Sequence, residues 1–247
     1  MKAFRGFAVL GLLLAVCAAR ATAHDDVFLE GQGRGRQADG LPEPRPQDQG
    51  WEVFDRADDP AHAIFTGLGP ERDQTLAMDQ AGLEQVFGLL GRARNMPDES
   101  FAEPCFGYAS SLPGDSTVLL VRLDDCPEIC FPVLEVELRR DARGLAHAAD
   151  LWPSPAVHAG IATRSGLRLG LTRDQVKAVL GRPRYEDEIS LHYGALYEHS
   201  FNRDEVLARG RDEGCAGRLV GVYRCIAVTF DQGRVSGLWV QQRIDWH

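Results

Sequence analysis

Lysine is nearly missing from this chain: Lys2 and Lys177 are the only two among 27 basic residues. Arginine carries the rest, a balance read as high-GC coding bias and not as a functional signal. No stretch beyond the N-terminal leader is apolar for the roughly 20 residues a membrane span requires. The Gly-x-Ser-x-Gly elbow, the His-Glu-x-x-His zinc helix and the phosphate-binding P-loop are all absent. Nothing in the sequence therefore specifies a nucleophile, a metallohydrolase centre or a nucleotide cradle, and the reading is of a non-enzyme with no cofactor. A basic excess is missing too. The chain has 27 basic and 36 acidic residues, and the part after Ala23 carries 24 minus 36, or −12. That balance argues against nucleic acid and against an anionic membrane surface as partner, since both rest on cationic contacts. Simple solubility explains it.

What is present begins with an address. Lys2 and Arg5 precede the apolar run Phe7 to Val16, and Ala21-Thr22-Ala23 is a small-x-small cleavage site. The pattern predicts a signal peptide over residues 1–23, a mature start at His24 and a periplasmic or secreted protein. Leu14-Ala15-Val16-Cys17 resembles a lipobox, but Val16 is a poor residue before a modified cysteine. Release as a soluble protein is favoured over an anchor at Cys17.

Five cysteines remain in the mature chain: Cys105, Cys126, Cys130, Cys215 and Cys225. Export makes disulfides the first reading. Cys215 and Cys225 lie in one region and are expected to pair. Cys105 is expected to bond Cys126 or Cys130, which leaves one thiol over. Zinc is disfavoured because Cys126-x3-Cys130 has no second close pair.

Gly31 to Gly50 is rich in Gly, Pro, Gln and Arg, so residues 24–50 are expected to be a flexible linker. Trp51 to Leu68 restores apolar content as a strand and a short helical turn. Asp79 to Gly91 reads as a helix with Leu83, Val86, Phe87 and Leu90 on one face. Strands are expected over Phe106–Ser111, Thr117–Leu123 and Phe131–Arg139. In the last, Leu134, Val136 and Leu138 alternate with Glu135, Glu137 and Arg139, which predicts one buried and one wet face. Asp141 to Ile161 is polar, with Pro153 and Pro155, and reads as a connector.

The clearest element follows. Thr172 is an N-cap and Gln175, three residues on, completes a capping box. Val176, Val179 and Leu180 form an apolar stripe. Gly181 fits a left-handed C-cap, and Pro183 stops the helix. Ile189, Leu191 and Tyr193 alternate along a strand, and Gly194 permits a turn. A helical turn is expected at Arg203 to Arg209. Arg218–Phe230 and Arg234–Ile244 form a hairpin closed by Asp231-Gln232-Gly233.

The two helices repeat at an offset of 90 positions: Gln85-Val86 matches Gln175-Val176, and Leu89-Leu90-Gly91-Arg92 matches Val179-Leu180-Gly181-Arg182. The run Gly170-Leu171-Thr172, Val176, Leu180-Gly181 and Pro183 resembles the BamE/SmpA-like (SmpA/OmlA) envelope domain, with Leu171 in place of the usual Met. Val228 to Val235 resembles that family's closing hairpin. The likeness covers Gly166 to Ile244 well and Leu76 to Arg140 weakly. It implies an α+β fold of two tandem helix-on-antiparallel-sheet units, residues 51–145 and 160–247, similar in architecture to beta-lactamase inhibitor proteins. It also implies an envelope scaffold that binds another protein through a sheet face, or an enzyme inhibitor of the same shape. Unlike the lipoprotein member of that family, this chain has no convincing lipobox.

A third reading is a small-ligand or metal-binding protein using His192 and His199 around a turn, or His24 as an N-terminal copper ligand. Ordinary strand residues and an unremarkable terminus explain these histidines better. Asp124-Asp125 and Glu186-Asp187-Glu188 read as solvated turns. Trp239, Trp246 and Tyr223 are either exposed binding anchors or core.

Overall fold

In the computed structural model the described residues are 56–78, 82–96, 104–124, 133–200, 202–208, 216–217 and 219–246. The expected signal peptide 1–23 and linker 24–50, with Trp51, Cys126, Cys130 and Cys215, lie outside them. Among the described residues no helix is long and apolar enough to cross a membrane.

The chain is a mixed α/β protein built on two sheets with antiparallel ladders. A 3-10 turn, Pro60–Ala63, leads into strand β1, Ile64–Leu68, which pairs with β2, Gln74–Ala77. Helix α1, Leu83–Leu90, is followed by β3, Asn95–Met96, β4, Cys105–Ser110, β5, Val118–Asp124, and β6, Val133–Arg139. Then come β7, Trp152–Ser154, and β8, Ala162–Thr163. Helix α2, Arg173–Leu180, precedes β9, Tyr185–Glu186, and β10, Ser190–Ser200. A short helix α3, Arg203–Ala208, and the long strands β11, Leu219–Asp231, and β12, Arg234–Trp246, complete it. The small sheet runs β2-β1-β8. The large one runs β3-β4-β5-β6-β12-β11-β10-β9, with β7 pairing parallel to β4 at the side.

Each element follows from local chemistry. In α2 the Thr172 hydroxyl accepts from Gln175 N while the Gln175 side chain accepts from Thr172 N, a reciprocal capping box. Helix α1 starts at Gly82 with no side-chain cap. Val86, Leu90, Val176 and Leu180 are all buried and reach one core. The β11–β12 hairpin turns on Gln232 and Gly233, both at positive φ (52° and 74°), the mirror-image turn whose twist suits antiparallel strands. The two stretches that carry the family resemblance meet in space: Gly170 N bonds Val235 O, Val235 N bonds Leu171 O, and Thr172 bridges to Arg234.

Four features differ from the sequence reading. Gln74–Ala77 is a strand that its sequence does not announce. The polar stretch 141–161 is more than a connector: β7 pairs with β4, and Val157 and Ile161 are fully buried in the main core. Gly194 makes no turn, because β10 continues through it in an unbroken ladder against β11 to Ser200. Finally, Gly181 has positive φ but extended ψ (81°, −154°), and Gly91 is alike (95°, 160°). Both helices thus stop in a region open essentially to glycine alone, not in the left-handed helical well.

That geometry sets a test. Asparagine tolerates the left-handed helical region but not this one. Gly181→Ala and Gly181→Asn should each destabilise by about 1–3 kcal/mol in urea denaturation. A wild-type midpoint for Gly181→Asn would show that an ordinary left-handed cap suffices.

Candidate functional site

The large sheet has two unlike faces. Alternation places Phe106 and Tyr108, Leu119, Val121 and Leu123, Leu134, Val136 and Leu138, Leu238 and Val240, Ile226 and Val228, and Leu191 and Tyr193 in one apolar core with both eight-residue helices. The other face carries two rows of opposed residues. One runs Cys105, Arg122, Glu135, Gln241, Cys225 and Gly194 across six strands. The next runs Gly107, Leu120, Glu137, Trp239, Ala227 and His192.

The centre of this second face is buried and charged. Arg122 is 5% exposed, Glu135 6% and Glu137 7%. Arg122 Nη1 lies 3.6 Å from Glu135 and 3.7 Å from Glu137, and Arg139 Nε lies 3.8 Å from Glu137. Trp239 Nε1 donates to Glu135 Oε2 at 3.3 Å, and Gln241 Nε2 donates to Glu135 Oε1. Two guanidiniums thus face two carboxylates, and the sum of charge is zero. Glu135 and Glu137 are not the solvated surface that the alternation suggests. β6 is a central strand, so Arg122 of β5 and Trp239 of β12 close over its acids from both sides.

The two halves of this face are finished differently. Over β4 and β5, Met96, Val118 and Leu120 are covered by Ala142, Leu145 and Leu151. Arg139 Nη2 donates to Arg143 O at 2.8 Å and pins that covering loop. A Cβ on Gly107 would meet Met96 Sδ at 2.2 Å and Leu151 Cδ2 at 2.6 Å, so glycine lets the cover sit close. Over β10 to β12 the face is partly open: Gln241, Tyr223, Cys225, Thr229, Gly237 and Leu196 are each half-buried. His192 closes the far side, its ring tilted against Tyr185 with centroids 5.4 Å apart and bonded to Ser190 Oγ at 3.0 Å.

The other singled-out residues divide cleanly. Gly170, Thr172, Val176, Leu180 and Gly181 set α2 on the core face, and Pro183 follows it; none lies on the second face. Cys105 and Cys225 share one row but stand four strand spacings apart, about 19 Å, beyond disulfide reach of each other. Their expected partners are outside the described residues. His192 and His199 are seven residues apart on one unbroken strand, about 23 Å, and cannot share a metal ion. Among the described residues no three His, Cys, Asp or Glu side chains gather as a metal site. Asp187 accepts from Ile189 N, Ser190 N and Ser190 Oγ. Burial alone would raise its pKa, but those bonds outweigh it and hold it below the ordinary carboxylate value. Trp239 is buried, Tyr223 half-buried, and the Trp246 side chain is outside the described set.

Arg122 and Gln241 escape sequence reading. The one available signal is a lone arginine inside Val118-Leu119-Leu120-Val121-Arg122-Leu123, where a buried cation needs an acid across the ladder. No family model, no curated protein and no solved structure matches this chain.

The network predicts a specific energetic pattern. Arg122→Met leaves buried Glu135 without its ion pair and Glu137 with Arg139 alone, and should cost about 3–5 kcal/mol. Adding Glu135→Leu should recover part of that loss. Urea midpoints decide it: a double variant as weak as the sum of its single variants would mean that the pair does not interact.

Proposed function

We propose that this is an exported, non-catalytic envelope protein that binds another protein through the second face of its large sheet, over β10 to β12. The carrying observation is the state of that face. Trp239, Gln241 and the acids beneath them are fixed by mutual bonds, while the ground next to them is half-exposed and floored by small residues. Prefixed side chains lose little conformational freedom on association, which favours recognition. Aromatic and amide groups above a buried base are the composition of interface centres.

A tandem of two BamE-like units is part of the same reading. Each half runs helix, two-residue strand, then three longer strands, and the last strands of the two halves, β6 and β12, pair at the centre. One interaction recurs: Tyr108 OH donates to Gly91 O at 3.1 Å, and Tyr193 OH donates to Gly181 O at 3.4 Å. These likenesses support duplication and, with the leader, an envelope address after cleavage at Ala23.

A photo-crosslinking residue at Thr229, on the half-open face, should capture one dominant protein from the cell envelope. The same residue at Asp174, on the exposed side of α2, should not. Capture at Asp174 alone would put the interface on the helices and refute the assignment. If the captured protein is an enzyme that loses activity on binding, the inhibitor form of the reading is the right one.

A further inference from the structure

The segment 56–63 crosses the core side of the sheet as a strap held at three places. Arg56 N donates to Leu180 O at 2.8 Å, at the end of α2. Arg224 of β11, itself buried, donates to Ala57 O at 3.2 Å and Asp58 O at 2.8 Å, and to Gln242 Oε1 at 2.8 Å. The third hold is His62, only 1% exposed, whose Nδ1 is hydrogen-bonded to Ser165 Oγ. Ser165 Oγ in turn bonds Thr163 Oγ1 at 2.7 Å, and Thr163 Oγ1 accepts from Leu167 N at 3.0 Å. The main chain follows the same seam: Ser165 N donates to Ala61 O and Arg164 N to Ile64 O.

His62 Nε2 is buried and makes no hydrogen bond. A neutral imidazole bonded once at Nδ1 can accept that state. An imidazolium is disfavoured there, because its charge would be buried and the Arg56 main-chain acceptor near the ring does not offset that burial. The charged groups around the ring come from two elements. On the strap, Asp59 and Asp58 favour the cation; on β11, Arg224 opposes it. Burial is the largest influence, and it outweighs Asp59, the Arg56 main chain and Asp58 to hold the His62 pKa below its ordinary value.

We propose that His62 is an acid-sensitive latch: neutral, it fastens strap 56–63 to the 163–167 loop, and on protonation it releases that seam. The direction follows from linkage. The unfolded or released histidine binds its proton near pH 6.5, and the latched one only at lower pH. The latch is therefore fully closed above pH 6.5, and its contribution is lost as pH falls from there through the depressed folded value. The released segment is the strap 56–63 itself, which packs on the core side of the sheet. The device governs the strap on the core side and not the second face of the sheet, so it stands or falls apart from the proposed function.

Amide hydrogen exchange read as protection factors, which removes the intrinsic pH dependence of exchange, tests this on the intact mature protein. Between pH 7.5 and 5.5 the protection of Arg164 and Ser165, whose amides bond the strap, should fall. Leu119 to Val121 in β5 should keep theirs. His62→Gln should make the seam's protection independent of pH. Equal protection at both pH values, a matching loss in β5, or a surviving pH response in His62→Gln would each overturn the latch. Should the variant fail to fold, NMR titration of the wild-type His62 ring decides instead: a midpoint below 6.5 sustains the proposal, and one at or above 6.5 ends it.

Discussion

The ladder between β6 and β12 is the contact on which the rest depends. It runs from Arg139 opposite Gly237 to Leu134 opposite Gln242 and joins two strands about 100 residues apart in sequence. Without it the sheet would part between β3-β4-β5-β6 and β12-β11-β10-β9. With it, Val136 and Leu138 oppose Val240 and Leu238, and the two helices share one core. The cost is a wide sheet whose second face lies away from α1 and α2. The chain meets that cost in two ways: it folds the 142–151 loop over β4 and β5, and it places a neutral set of paired charges at the centre.

Those charges are not there for stability alone. Two desolvated ion pairs recover about what their dehydration costs, and apolar residues of the same volume commonly do as well or better. What the charges supply is orientation. Glu135 takes hydrogen bonds from Trp239 and Gln241 and an ion pair from Arg122, so three strands are held in one register by a single carboxylate. A one-residue slip would turn every one of these groups into the apolar core. The same bonds fix the indole and the amide at the border of the half-open ground, which is the property that a binding surface needs.

The sequence announces what is local and conceals what is long-range. The Thr172–Gln175 box, the Gly181 stop and the Gln232-Gly233 turn are legible because each is decided within four residues. The alternation of Leu134, Val136 and Leu138 names the core face of β6. It does not show that Glu135 and Glu137 are buried, because that depends on Arg122 and Trp239, which are distant in the chain. Gly194 reads as a turn since glycine is common there, yet its place opposite Cys225 inside a ladder needs no turn. Trp152–Ser154 is hidden by Pro153, which is admissible only because β7 lies at the side of the sheet. The helix stops are half legible: glycine marks the site, but the extended ψ of Gly91 and Gly181 depends on where the following chain must go.

The strap completes the same logic on the core side. The apolar column of β11 and β12 ends at Arg224 and Gln242, where a buried guanidinium must find acceptors. Gln242 supplies one, and the carbonyls of Ala57 and Asp58 supply others, so the strap is part of how β11 tolerates its arginine. Along β11 the neighbours of Arg224 are Tyr223 and Cys225, which alternation turns to the half-open face. One strand therefore bears the strap's anchor on one side and the floor of the half-open ground on the other.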